Sequence, residues 1–221
     1  MEHALIIGAS GGIGSALKAH LEGAGVGVAG LSRRDDGIDV TDEASIERVL
    51  GALDGPFDLV IVATGALVLG GRGPEKALRD LDPAAMQAQF ALNAMGPALV
   101  LKHARRLMPR DRVARFAALS ARVGSIGDNA LGGWYSYRAA KAALNQLIHT
   151  GAIEMSRSHP HSVVVTLHPG TVDTGLTAAH RGSHPAVSPA DAAGNLLGVL
   201  QGLTPADSGG FFDWQGQRVP W

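Results

Sequence analysis

Apolar runs of strand length recur along this chain, and each is followed by a stretch long enough for a helix. The runs fall at residues 4–7, 26–31, 59–63, 113–119 and 163–167, with a late "GGFFDW" around Phe211 and Phe212 and a short run reaching Val40. They are apolar almost throughout instead of alternating, as strands buried on both faces must be. Between them lie "GIGSALKAHLEGA", "EASIERVLGAL", "AAMQAQFALNAMGPALVLKHARRLM", "SYRAAKAALNQLIHTGAIEM" and "SPADAAGNLLGVLQGL". The last opens with Ser188 as N-cap and Pro189 at the first helical position. Alternating β and α segments of this kind give a parallel sheet with helices on each side. At 221 residues the chain fills one well-cored domain, whereas a split would leave two small ones. The expectation is an α/β fold with a doubly wound parallel sheet in three α/β/α layers, residues 1–221 forming a single domain.

Composition narrows the function classes. A net charge of −1 offers no general attraction to nucleic acid or to an anionic membrane surface. With no cysteine there are no disulfides, thiolate nucleophiles or cysteine metal sites. The start "MEHALIIGAS" lacks a basic, apolar leader, and no stretch has the length of a membrane span, so a cytoplasmic protein is expected. Nine histidines are scattered, and the tightest group, "HPH" at 159–161, lacks the i, i+4 spacing of a helical zinc motif. No metal site is expected.

The opening "ALIIGASGGIGSAL" reads as strand, glycine cluster and helix. Glycines there allow a tight turn and let backbone N–H groups approach a pyrophosphate at the helix N-terminus. Two other patterns compete. "GVGVAG", Gly25 to Gly30, satisfies G-x-G-x-x-G but leads into a strand, so it fails the context the motif needs. "GASGG", Gly8 to Gly12, matches a nucleophile elbow, for which Asp173 with His180 or His184 would have to complete a triad. Such a serine ordinarily follows several strands, and Ser10 follows the first.

The spacing Gly8-x-x-x-Gly12-x-Gly14, the pair Tyr137-x-x-x-Lys141 and the alternating sheet together resemble the short-chain dehydrogenase/reductase family. "GSIGDNALGGWYSYRAAKAALN" is most similar to its branch of small carbonyl reductases that includes C-factor and sniffer. The resemblance implies a Rossmann-type fold, a nicotinamide cofactor and carbonyl or alcohol redox chemistry on a small molecule. Two departures are modest: Ile7 replaces a threonine before the glycine turn, and "VATG" stands for the family's N-N-A-G. Asn93 in "FALNAMGP" and the segment "HPGTVDT" also fall where the family has conserved motifs. The family implies a homodimer or homotetramer built on the helices that carry Asn93 and Tyr137.

Carbonyl reduction needs a hydride at carbon and a proton at oxygen. Tyr137 is the candidate donor, since a phenol hydrogen-bonds the oxygen and gives up its proton. Its ordinary pKa is about 10, and a Lys141 ammonium four residues on is expected to lower it. Tyr135 has Ala139 at that offset and is read as packing or pocket wall. Asn93 either holds a relay water for the lysine or is a helix amide bonded to nearby backbone. The family's substrate-orienting serine, counted back from Gly124, lands on Ala121. Spacing to Tyr137 favours Ser125 instead, with Ser120 second.

For the cofactor, Gly8, Ser10, Gly11, Gly12, Ile13 and Gly14 form the phosphate turn by resemblance. NAD sites place an acid at the end of the second strand, to bind the ribose 2′-hydroxyl. Here "GLSRRDD" puts Ser32, Arg33 and Arg34 there, donors suited to a 2′-phosphate, so NADP(H) is favoured over NAD(H). The alternative is that Asp35 and Asp36 neutralise those arginines. The resemblance assigns Asp39 and Val40 to the adenine side and Ala63 and Gly65 to the adenosine ribose. It places Pro169, Gly170, Val172 and Thr174 at the nicotinamide. Trp134, Trp214 and Trp221 are read as pocket wall or packing. The short stretch between Thr174 and Ser188 suggests an open or mobile substrate site. A non-enzymatic NADP-binding sensor is the competing reading, motivated by the missing serine.

Overall fold

The computed structural model describes residues 1–175 and 186–221. The apolar runs form β1 (His3–Ile7), β2 (Gly27–Leu31), β3 (Leu59–Val62), β4 (Ala114–Leu119), β5 (Ser162–His168) and β6 (Phe211–Asp213). They make one parallel sheet in the order β2-β1-β3-β4-β5-β6. The principal helices are α1 (Gly12–Gly23), the one-turn α2 (Arg33–Asp36), α3 (Glu43–Gly51), α4 (Pro83–Phe90), α5 (Gly96–Ala104), α6 (Tyr135–Ser158) and α7 (Pro189–Gly202). The Ser188 hydroxyl caps α7 by accepting the Asp191 N–H, with Pro189 in the first turn.

Two apolar layers hold the helices to the sheet. On one face Leu5, Val60, Phe116 and Val164 meet Ile46 and Leu50 of α3, Val100 of α5, and Leu144 and Ile148 of α6. On the other, Ile6, Ile61, Ala117 and Val165 meet Leu17 and Leu21 of α1 and Leu196 and Leu200 of α7. Successive strand residues alternate between these layers, which is why the runs carry no polar face. Each such buried Leu, Ile or Phe contributes about 1.5–3 kcal/mol relative to exposure. The chain winds outward from β1 to β2 and then back across β1 to β3, so a crevice opens at the carboxyl ends of β1 and β3.

One expected element does not form. Val40 ends no strand: the Asp39 carboxylate accepts the Thr41 N–H and hydroxyl at 2.9 and 2.7 Å, turning the chain. The Val40 side chain is 4% exposed and packs where a Cβ at Gly96 would come within 3.0 Å of it. Local side-chain bonding and core packing here outweigh strand propensity. No helix among the described residues is long and apolar enough to cross a membrane.

Candidate active site

The glycine turn is dictated by close backbone approach. Gly8 has φ +93°, and a Cβ there would sit 3.0 Å from the Ala63 carbonyl group at the end of β3. A Cβ on Gly14 would lie 2.1 Å from the Gly8 oxygen, so only glycine fits. One on Gly12 would lie 2.7 Å from Thr174 Cγ2, which brings the chain after β5 against the first turn of α1. Gly11 is the N-cap, with extended backbone and no side-chain cap, and the first turn of α1 carries no acid. Ser10, Gly11 and Gly12 are exposed, leaving this helix start open to an anion. "GVGVAG" instead spans the turn after α1 and the strand β2, as its context required. The triad alternative for Ser10 depended on His180 or His184, which lie outside the described residues, as does most of the stretch expected to leave the substrate site open.

At the end of β2, Ser32 caps α2: its hydroxyl accepts the Asp35 N–H at 3.0 Å and donates to the Asp35 carboxylate at 2.8 Å. Arg34 pairs with Asp35 at 2.8 Å in an exposed contact. The expected neutralisation by aspartate therefore applies to Arg34. Arg33 has no ion pair among the described residues and is the guanidinium left at this turn. Asp39 and Val40 sit on the next turn, the Asp39 carboxyl held below its usual range by the Thr41 hydroxyl and N–H.

α6 begins with a sharp local reversal. Gly132, Gly133 and Trp134 are successively left-handed, Trp134 at φ 54°. That conformation is unfavourable for a bulky residue, and such strain gathers at functional sites. It is held from a distant part of the chain: the Glu75 carbonyl accepts the Trp134 N–H at 2.6 Å. The Glu75 carboxylate accepts the Ser136 N–H at 3.1 Å and, in a short contact, the Ser136 hydroxyl. Glu75 thus supplies the cap and the N-terminal negative charge that α6 lacks in its own sequence.

One turn in, Tyr137 is 7% exposed and Lys141 3%. Lys141 Nζ stands 5.7 Å from the Tyr137 ring centroid and donates to the Leu119 carbonyl at 2.8 Å. The Trp134 ring meets Tyr137 edge-on at 6.3 Å. Burial pushes the Tyr137 phenol up to about 12 and the Lys141 ammonium down to about 7. This corrects the expected direction for the tyrosine: desolvation, which disfavours both charged forms, outweighs the attraction between them.

Asn93 is fully buried in a single π-turn, Ala91–Met95, between α4 and α5. Such turns frequently interrupt helices at functional sites. Its amide clamps the loop after β3, accepting the Ala66 N–H at 3.2 Å and donating to the Ala66 carbonyl at 2.9 Å and to Gln89 Oε1 at 2.5 Å. Both amide protons are used, which fits the backbone-bonded alternative. Gly65 lies between Asn93 and Lys141: a Cβ there would come 2.8 Å from Asn93 Oδ1 and 3.6 Å from Lys141 Nζ.

These elements enclose a cavity of about 570 Å³. Tyr137, Lys141 and Trp134 form one side; Ile13, Ala63 and Gly65 another; Pro169, Gly170, Val172 and Thr174 a third. Leu67, Leu119, Val123 and Leu131 make much of the remaining wall apolar, and Arg122, Arg138 and His168 also reach it. Ser125 does not line it: its hydroxyl accepts the Asp128 N–H at 3.1 Å inside the turn that follows β4. Ser120 and Ala121 do line it, but Ser120 Oγ is buried without a partner among the described residues. Neither serine offers an accessible hydroxyl to the cavity. Tyr135 is off the wall, Trp214 covers Gly170, and Trp221 stacks on Phe211. Glu75 had no local sequence signal; His168 stood in view within "HPGTVDT".

With this geometry in hand, the comparisons with known proteins agree. The short chain dehydrogenase family model matches residues 2–184. A 1-hydroxy-2-glutathionyl-2-methyl-3-butene dehydrogenase of Rhodococcus sp. (strain AD45) is 31% identical, covering 100% of both chains. The C-signal protein of Myxococcus xanthus is 37% identical over 76% of this chain and 94% of its own length. In fold, the chain is similar to an NADPH-bound carbonyl reductase from chicken fatty liver, with TM-score 0.84 and 22% identity over 100% of this chain and 94% of that one. It is also similar to the carbonyl reductase Sniffer of D. melanogaster, with TM-score 0.79 and 17% identity over 100% of both chains. A glycine turn at the β1/β3 crevice and a buried tyrosine–lysine pair facing it thus sit in a chain matched over most of its length by one family, and this protein belongs to the short-chain dehydrogenases, a family of oxidoreductases.

Proposed function

We propose that this enzyme reduces the carbonyl of a small aldehyde, ketone or quinone to an alcohol with NADPH, Tyr137 giving the proton to oxygen. The observation that carries the reading is the single cavity that joins Tyr137 and Lys141 to the glycine-turn side of the crevice and the chain after β5. Ile13, Ala63, Gly65, Pro169, Gly170, Val172 and Thr174 would hold the nicotinamide half, and Gly8, Ser10, Gly11, Gly12 and Gly14 the pyrophosphate. NADPH supplies the hydride. Tyr137, protonated at neutral pH, is already the acid that reduction needs. The apolar wall favours a substrate with little charge around its carbonyl. Lys141, near neutrality in its own titration, returns a proton to the phenol after each turnover at little cost.

Arg33, without an ion pair among the described residues, supports the 2′-phosphate and hence NADP(H) over NAD(H). The carbonyl reductase of similar fold from chicken fatty liver is NADPH-bound, which supports the same choice. Self-association as a homodimer or homotetramer is supported by half-exposed Met95, Leu147 and Ile153 on the surface of the Asn93 and Tyr137 helices. Light scattering on the purified protein reads that directly.

The absence, among the described residues, of a serine hydroxyl open to the cavity favours one competing reading, an NADP-binding sensor or interaction protein with little or no catalysis. Loss of NADPH absorbance at 340 nm over a carbonyl panel separates the two. Turnover, with kcat/KM higher for NADPH than NADH, is expected. NADPH binding without turnover on every carbonyl would favour the sensor.

A further inference from the structure

As hydride reaches a carbonyl carbon, the π electrons move to oxygen, and that oxygen presents two lone pairs to the protein. Tyr137 serves one. The wall at position 121 is alanine, Ser125 is spent on a turn and Ser120 Oγ is sealed. A second donor has to come from another residue of the wall.

His168 closes β5 beside that wall. The Ser120 N–H donates to the Leu167 carbonyl at 2.7 Å, extending the β4–β5 ladder and setting His168 next to Ser120 and Ala121. On its other side its register partner is Asp213 of β6. In the alternation of β5 it falls on the face of Val164, the face that carries α6 and therefore Tyr137. His168 lines the cavity, and its Nδ1 is sealed without a partner among the described residues, leaving Nε2 as the ring nitrogen able to meet a ligand. Burial, reinforced by the Arg122 cation and only partly opposed by Asp213, holds the imidazole down to about 4. At neutral pH the ring is therefore uncharged, with one N–H to place.

Resting on the reductase reading above, we propose that His168 is a catalytic residue of this enzyme, its Nε2–H donating a hydrogen bond to the substrate oxygen beside Tyr137. The stoichiometry of the reaction is unchanged: hydride bonds to carbon, the C=O π bond breaks toward oxygen, and oxygen takes the Tyr137 proton. His168 keeps its own proton and stabilises the charge that gathers on oxygen in between. A donor of this kind strengthens as that charge grows, so its loss lowers kcat more than it raises KM.

The test is a rescue. His168→Ala is expected to lower kcat roughly 10²-fold, the scale of one lost oxyanion donor, with NADPH affinity by fluorescence titration unchanged. His168→Gln, which keeps a side-chain N–H, is expected to retain more activity than His168→Ala. Ala121→Ser added to His168→Ala should restore most of the lost kcat, because a hydroxyl then stands on the same wall. Wild-type kcat in His168→Ala would overturn the proposal. So would a loss that Ala121→Ser leaves unrescued, or one that follows weakened NADPH binding in both His168 variants, since that marks a structural role. No turnover by the wild-type protein on any carbonyl would instead bring down the reductase reading, and this proposal with it.

Discussion

The two ends of the cavity are built from different materials. The end at the glycine turn is backbone: Gly8, Gly12 and Gly14 are each fixed by a contact that a Cβ would violate. The opposite end is side chain: Tyr137 and Lys141 are displaced from their ordinary ionisation by burial, and the wall beside them is composed of Ala121, Trp134 and His168. Backbone geometry tolerates one residue type and so leaves a fixed spacing. Side-chain chemistry can be supplied from several positions, provided the donor reaches the same point in space. The first end keeps the glycine spacing even with Ile7 before the turn and "VATG" after β3, whereas the second has Ala121 where the family count places its serine.

The sharpest way to break this contrast is Gly14→Ala. Its Cβ would stand 2.1 Å from the Gly8 oxygen, and no side-chain rotation relieves a clash with backbone. Overpacking of this kind costs about 1–3 kcal/mol and sometimes more. Expected together are a lower Tm and weakened NADPH binding by fluorescence titration. A variant matching wild type in both would show that the turn is less constrained than its contacts indicate.

Lys141→Met tests the buried end through pH. The lysine is held down to about 7 from its usual 10.5, so between those values the unfolded chain binds a proton that the folded protein does not. Wild-type stability attributable to this group therefore rises from pH 7 to pH 10.5, is lost as pH falls across that window, and is flat below 7. Methionine removes that dependence. The Tm difference, variant minus wild type, should be most positive near pH 7 and shrink toward pH 10.5. Tyr137, held up to about 12, stays protonated over that window and does not blur the reading. A difference that is flat with pH would contradict the burial argument.

The smallest effect is expected at Ser125→Ala. The hydroxyl only accepts the Asp128 N–H, so stability should fall by about 1 kcal/mol while kcat stays at the wild-type value. A large fall in kcat with stability intact would return Ser125 to the catalytic set.

Legibility in the sequence follows the same division. The sheet was readable because strands buried on both faces need unbroken apolar runs, and the phosphate turn because backbone contact demands glycine at set intervals. Val40 misled because its apolar run is used in a turn packed against Gly96. The serine count misled because the chain between Ser125 and Tyr137 includes the left-handed run Gly132 to Trp134, so distance along it does not measure distance across the cavity. Glu75 was invisible, since a cap donated from 61 residues away leaves no local pattern. The ionisation of Tyr137 was read in the wrong direction because spacing reveals a neighbouring charge and not the depth of burial.

The most direct test of the division between a binding end and a chemical end is Tyr137→Phe, read in two ways on the same preparation. NADPH affinity by fluorescence titration should match wild type, while carbonyl-dependent NADPH oxidation should fall by roughly 10²–10⁴-fold, the range for loss of a positioned acid. Wild-type turnover in the variant would contradict the account, because the proton would then come from elsewhere and the buried Tyr137–Lys141 pair would not be the centre of the chemistry.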